Sequence, residues 1–228
     1  VRIVNQMDHH VGPAARSRQD GSLCDMPGAD RSKAVDALLE AFLDDPLYRW
    51  LFDDPTTRGQ ALRDNFVAVT GAGATNGRLD TTRNGDAAAI WTEPGRALFD
   101  EPSELLDVLS RWSPPIRLTA ASRAITECGR NQPADAAVLH LIGVRPRSAG
   151  SGIGSTLIRR RLVEFDRVGR AVYLESSNPR NHTFYARHGF RPVADVQLGD
   201  GGPSITCMLR PSSRPRPRAR RTISSRAQ

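Results

Sequence analysis

The stretch P-R-S-A-G-S-G-I-G-S-T, residues 146–156, limits the folds open to this chain more than any other segment. Before it runs A-A-V-L-H-L-I-G-V (136–144), apolar along nearly its whole length, which reads as a strand buried on both faces at the centre of a sheet. Behind it Ile153, Leu157, Ile158, Leu162 and Phe165 recur at helical spacing and predict a helix over 153–168. Strand, glycine loop and helix together aim unpaired N–H groups and a partial positive charge at whatever sits on the loop. Two common anion-binding loops are excluded. A P-loop needs G-x-x-x-x-G-K-[ST] and the lysine is missing, while a dinucleotide fingerprint needs G-x-G-x-x-G and Gly150, Gly152 and Gly154 are spaced G-x-G-x-G. Another phosphorylated cofactor, or a tight turn that holds nothing, remains.

The flanking segments describe the rest of one domain. Val35, Leu38, Leu39 and Phe42 form an apolar stripe on a helix that starts at Asp30 or Ser32 and that Pro46 ends. L-Y-R-W-L-F (47–52) then reads as core or as the wall of a substrate pocket. A second helix is expected over 57–72, and residues 77–92 read as a hairpin whose Asn84 and Gly85 suit a type I′ turn. Pro102 and Pro115 open two more helices. Beyond the glycine loop come a strand at 171–175, a short helix near 180–188, and two terminal strands near 190–198 and 204–210. Strands alternating with helices, with hairpins at both ends, predict an α/β fold with a mixed sheet covered by helices on both faces.

Charge has to be located before it means anything. The formal net charge is +7, but residues 210–228 carry seven arginines and no acid, so the remainder is neutral. That tail has three prolines and one large aliphatic residue, and is expected to be a disordered extension that attaches to nucleic acid only weakly. Residues 1–28 show no period and read as an irregular extension, which leaves 29–210 as the folded domain. No apolar run approaches the ~18 residues of a membrane span, and the first residues lack a secretory signal, so the expected location is cytoplasmic. Cys24, Cys128 and Cys207 are scattered without metal-ligand spacing, as in a chain kept reduced.

The loop resembles a motif of the GNAT superfamily of N-acetyltransferases, V-x-P-x-x-[QR]-G-x-G-[IL]-G, which here reads V-R-P-R-S-A-G-S-G-I-G over residues 144–154. Y-L-E-S-S-N-P-R-N-H-T-F-Y-A-R-H-G-F (173–190) is similar to the family's second signature, a strand and helix ending in F-Y-x-x-x-G-F. Within the superfamily, A-F-L-D-D-P-L-Y-R-W (41–50), A-A-A-I-W-T-E-P (87–94) and the ending V-A-D-V-Q-L with C-M-L-R-P resemble puromycin N-acetyltransferase and its bacterial relatives. The resemblance implies a GNAT-like, mostly antiparallel central sheet and acetyl-CoA as cosubstrate, its diphosphate held by the main chain of Ala149, Gly150, Ser151, Gly152, Ile153, Gly154 and Ser155. The chain departs from the motif at Ala149, where Gln or Arg is usual, and at Ser151, where Lys is frequent. Backbone donors survive both changes.

Acetyl transfer to an amine requires that the amine lose a proton, since an alkylamine titrating near ~10.4 is mostly charged at neutral pH. It also requires a donor for the developing oxyanion and a proton for the departing thiolate. The resemblance assigns the last role to Tyr185, a phenol that titrates near ~10. His140 interrupts the central strand where several superfamily members carry a glutamate, and its imidazole can take a proton at pH 7. A hydrogen-bonded structural histidine is the other reading. Glu175 is the competing base, or pairs with an arginine such as Arg180. The strand backbone at Ile142, Gly143 and Val144 is expected to bond the pantetheine arm like an added strand. Asn181 and Asn178 are expected to contact the cofactor, and Tyr48, Trp50 and Trp91 to line the acceptor pocket. The reaction so read joins acetyl-CoA to a small-molecule amine and calls on no metal. A non-catalytic CoA-binding module and an enzyme acting on a protein amine are the alternatives.

Overall fold

The computed structural model describes residues 23–24, 31–199 and 201–213. The expected N-terminal extension, apart from Leu23 and Cys24, lies outside these residues, as does the arginine tail past Ser213. The strands are β1 (Leu23–Cys24), β2 (Arg78–Thr82), β3 (Ala87–Thr92), β4 (Ala137–Val144), β5 (Val172–Ser176), β6 (Arg191–Gln197) and β7 (Ser204–Arg210). They form one seven-stranded sheet in the order β1-β2-β3-β4-β5-β7-β6. Only β4 and β5 pair in parallel. The helices are α1 (Arg31–Phe42), α2 (Pro46–Leu51), α3 (Arg58–Asn76), α4 (Pro102–Leu109), α5 (Pro115–Arg130), α6 (Ile153–Arg167) and α7 (His182–Arg187), with 3-10 turns at Pro146–Ser148 and Pro179–Asn181. Among the described residues no helix is long and apolar enough to cross a membrane.

Helices cover both faces of the sheet, each over its own core. On one face α1 to α5 pack Leu38, Phe42, Phe66 and Cys128 against Ala88, Ile90, Val138 and Cys207. On the other, α6 and α7 pack Leu157, Ile158, Phe184 and Phe190 against Ala89, Leu139, Val172 and Leu174. The apolar run before the glycine loop is β4, buried at all eight positions, because a strand with helices on both sides has no polar face to show. Gly143 lets α1 lie directly on this strand, since a Cβ there would stand 2.9 Å from the Ala41 methyl.

Two local expectations are corrected. The hairpin turn is closed by the Gly85 amide donating to the Thr82 carbonyl at 2.9 Å, so Arg83 and Asn84 are its central residues and Gly85 follows them at φ +71°. The Thr82 hydroxyl accepts from the Asp86 and Ala87 amides and lengthens the loop beyond a two-residue turn. Pro46 does not merely end a helix. It opens α2 at the first helical position, behind Asp45, whose carboxylate accepts from the Leu47 and Tyr48 amides.

Candidate active site

The central strand carries one residue too many. Ile90 of β3 faces Leu141 and Trp91 faces Leu139, so His140 is the unmatched residue of a β-bulge. The side-chain alternation slips with it: Leu139 and Ile142, three apart, both enter the α6 face, while Val138 and Leu141 enter the α1 face. The parallel ladder with β5 ends at the same level, its last pair being Leu139 with Leu174. β4 runs on to Val144 and β5 to Ser176, β5 still paired to β7, and no ladder joins β4 to β5 there among the described residues. The sheet therefore opens a gap between its two parallel strands, edged on one side by the backbone of residues 140–144.

The glycine loop turns at the end of that edge. Gly150 and Gly152 stand at φ +78° and +80°, in the left-handed region that side chains rarely adopt. Within the loop the Ala149 amide already donates to the Pro146 carbonyl and the Ser151 amide to that of Ser148, so these two of the expected anion donors are spent locally. The first bond of α6 is Thr156 N–H to Gly152 C=O at 3.0 Å, which leaves the amides of Ile153, Gly154 and Ser155 without intrahelical partners. The donor set thus fits a diphosphate, but it is shifted towards the helix from the span read in the sequence. Arg147, two positions before the motif's usual basic site, pairs instead with Asp86 on the hairpin turn at 2.8 Å. At the rim, His188 Nε2 lies 3.2 Å from Ser155 Oγ, and burial together with Arg159, Arg187 and Arg210 pushes this imidazole down to about 4, leaving it neutral at pH 7.

Tyr185 sits on α7, 1% exposed between Phe184 and Phe190, and burial, reinforced by the charge of Asp45, raises its hydroxyl well above the usual phenol range. Asn181 is buried at the head of the same helix. Asn178 accepts the Arg180 amide at 3.1 Å and so serves the turn that leads into α7. His140 is enclosed, with Nε2 2.8 Å from Thr92 Oγ1. Glu175, also buried, is felt electrostatically by Cys128, Tyr173 and Cys207 on the α5 side.

The three aromatics expected to share an acceptor pocket are not brought together. Tyr48 is core on the α1 face, 1% exposed, edge-on to Phe42 and Phe66, with its hydroxyl accepting from Asn65 at 3.2 Å. Trp50, on the same face, is partly buried with the Arg117 guanidinium 5.8 Å from its ring centre. Trp91 points through the opposite face and packs on Phe165 of α6. The alternation of β3 decides this, and spacing in the sequence cannot pair a strand residue with a helix on the wrong face.

Two residues that the sequence did not single out complete the region. Asp45 is fully buried, and Ser177, also fully buried, places its hydroxyl 3.0 Å from both carboxylate oxygens. Burial raises Asp45 to about 7 against the opposing pull of Ser177 and the Leu47 and Tyr48 amides. A cleft of about 780 Å³ is lined nearby by Asp44, Pro46 and Arg49 from the start of α2 and by Asn178, Pro179 and Arg180 from the turn before α7.

Residues 119–192, which span the end of α5, the bulged strand, the glycine loop, α6, β5 and α7, match the family profile of the acetyltransferase (GNAT) domain. This segment of the chain is similar to the GNAT acetyltransferase domain. A crystal structure from Corynebacterium glutamicum, described as histone acetyltransferase HPA2 and related acetyltransferase, superposes with a TM-score of 0.62 at 24% identity, covering 85% of this chain and 97% of that one. Arylalkylamine N-acetyltransferase 2 from Aedes aegypti aligns with a TM-score of 0.56 at 10% identity, over 83% of this chain and 98% of its own. An agmatine N-acetyltransferase mutant in its apo form gives 0.52 at 14% identity, over 83% and 99%. At these identities the likeness is one of fold. The domain match supports an acetyl-CoA-dependent acyltransferase.

Proposed function

We propose that this chain transfers an acetyl group from acetyl-CoA directly to a primary amine of a small molecule. The observation that carries the reading is the gap between β4 and β5 beyond Leu139 and Leu174, with the free amides of the α6 first turn at one end and Tyr185 packed in the same core as Leu139 and Leu174. The amides of Ile153, Gly154 and Ser155 would hold the diphosphate, and the open backbone of Ile142, Gly143 and Val144 would hold the pantetheine arm as a neighbouring strand would. Gly150 and Gly152 keep side chains away from that approach. Asn181 is assigned to the cofactor and Asn178 to the turn with a cofactor contact beside it. Bound there, acetyl-CoA supplies the activated acetyl thioester.

The chain's own residues then have two proton tasks. Tyr185, kept protonated by burial, holds the proton for the leaving sulfur. The acceptor's ammonium must give one up, and His140 on the bulge and Glu175 on β5 are the candidates to take it. The similar folds named for arylalkylamine and agmatine acetylation support a small amine as acceptor. Trp50, with its half-buried ring on the α1 face, is kept as a candidate acceptor contact, and location in the cytoplasm goes with this reading. The likeness named for a histone acetyltransferase favours a protein amine as the second reading.

The test is titration of acetyl-CoA by calorimetry followed by thiol release across a panel of amines. Binding in the micromolar range and release with a small primary amine are expected. Absence of binding at millimolar acetyl-CoA overturns the transferase reading. Binding without release from any small amine or amine-terminated peptide makes the chain a CoA-binding module.

A further inference from the structure

The cleft of about 780 Å³ between the start of α2 and the turn before α7 is lined by more positive than negative charge. Arg49 stands on the first wall and Arg180 on the second, against the single carboxylate of Asp44. All three side chains are exposed, and among the described residues none of them enters an ion pair. Their charge is left for solvent or for a ligand. The walls themselves are stiff. Each is led by a proline at the first position of its turn, Pro46 for α2 and Pro179 for the 3-10 turn. Each turn is capped by the side chain before that proline, Asp45 accepting the Leu47 and Tyr48 amides and Asn178 accepting the Arg180 amide. The two turns are tied to each other from within, because the buried Ser177 hydroxyl donates to both carboxylate oxygens of Asp45 at 3.0 Å. Arg49 and Arg180 thus project from two short segments that are already in place, which lowers the entropy cost of binding an anion against them.

The position of the cleft suits the acceptor rather than the acetyl donor. Asn178 follows closely on Ser176, the last residue of β5, and β5 is the strand that parts from β4 beyond Leu174. Ligands of open α/β sheets lie outside the carboxyl ends of such strands. α2 packs Leu47 and Leu51 into the core on the α1 face, whereas the anion donors suited to the diphosphate lead α6 on the opposite face. We propose that the acceptor is a primary amine that also carries a carboxylate or a phosphate, and that Arg49 and Arg180 hold this oxyanion; the proposal rests on the acetyl-transfer reading above. A guanidinium stays charged at every working pH and offers paired N–H donors that match two oxygens of such a group. With two cations against one carboxylate, the same cleft disfavours an acceptor with a second positive charge, such as agmatine or spermidine.

The test is thiol release from acetyl-CoA with acceptors matched except for the anion: phenylalanine against 2-phenylethylamine, arginine against agmatine, and phosphoethanolamine against ethanolamine. In wild type, kcat/KM is expected to be at least about tenfold higher for the anionic member of a pair, and the pair that responds tells carboxylate from phosphate. Both arginines are exposed, so Arg49→Ala and Arg180→Ala leave the fold intact. Each is expected to remove about tenfold from kcat/KM with the anionic acceptor and less than about twofold with its partner, which neither misfolding nor a difference in amine basicity would produce. The wild-type preference should shrink as salt is raised. Affinity for acetyl-CoA in calorimetry should stay within about twofold in both variants. Wild-type rates that do not differ within any pair, or a preference that survives in the double variant, overturn the proposal while leaving acetyl transfer intact. A fall in acetyl-CoA affinity with the preference unchanged assigns the cleft to the cofactor and overturns it as well. If wild type binds acetyl-CoA yet releases thiol with none of these amines, the transferase reading fails and this inference goes with it.

Discussion

The two ends of the gap between β4 and β5 are built in opposite ways. At the α6 end, the anion donors, the positive-φ glycines and the turn that precedes them come from about ten consecutive residues and depend on backbone alone. At the α2 end, Asp45 and Ser177 are 132 positions apart and meet only because α1 lies on β4 and carries α2 over the end of β5. The first end is a local structure that any side chain other than glycine would distort at two points. The second is a tertiary contact whose chemistry depends on burial. Changes at the loop should therefore alter affinity for the acetyl donor and leave turnover at saturation nearly untouched, whereas changes at the corner should do the reverse.

The largest effect expected belongs to the corner side. On the proposed role of Tyr185 as proton donor to sulfur, Tyr185→Phe should lower kcat by about 10²–10⁴-fold, with KM for acetyl-CoA changed much less. Steady-state kinetics decides it, and a selective rise in donor KM would break the division between the two ends. Next comes a stability difference. Asp45 titrates near 7 in the folded chain against ~3.9 when unfolded, so the folded state holds this proton more tightly. That contribution is complete below about pH 3.9 and is lost as pH rises through about 7. Denaturant titrations should show wild type losing stability relative to Asp45→Asn across that window, with a slope of up to ~1.4 kcal/mol per pH unit. Parallel curves for the two proteins would mean that Asp45 is ionised throughout.

On the loop side, Gly152→Ala forces a side chain into the left-handed region at a cost of about 1–2 kcal/mol, although open space surrounds its Cβ. Affinity for acetyl-CoA should fall by about tenfold in calorimetry, with kcat at saturating donor preserved. The smallest effect is a gain. Ala149→Arg puts a cation on an exposed position beside the anion donors and should tighten acetyl-CoA binding by a few-fold, more at low salt than at high. A loss of affinity there would mean that the loop's local hydrogen bonds, including that of the Ala149 amide to Pro146, cannot bear a larger side chain.

How much of this was legible beforehand follows the same division. The boundaries of α6, the central position of β4 and the place of Tyr185 on α7 were read directly, because each depends on a period or a signature within a short window. The local engagement of the Ala149 and Ser151 amides was not, since it turns on which amides a 3-10 turn uses for itself. Asp45 had a readable signal as an N-cap before Pro46, but nothing in the chain announced that Ser177 would meet it. Tyr48, Trp50 and Trp91 looked alike as aromatics near a substrate and were separated by the sheet itself.

By itself, the amino-acid sequence determined the strand, the glycine loop and the helix behind it, since φ preferences and first-turn amides are properties of neighbouring residues. Tertiary structure alone decided that His140 would be a bulge, that the parallel strands would part there, and that a carboxylate and a serine far apart in the chain would meet in the interior. Packing sets those features, because burial and strand register are fixed by partners that lie far away along the chain.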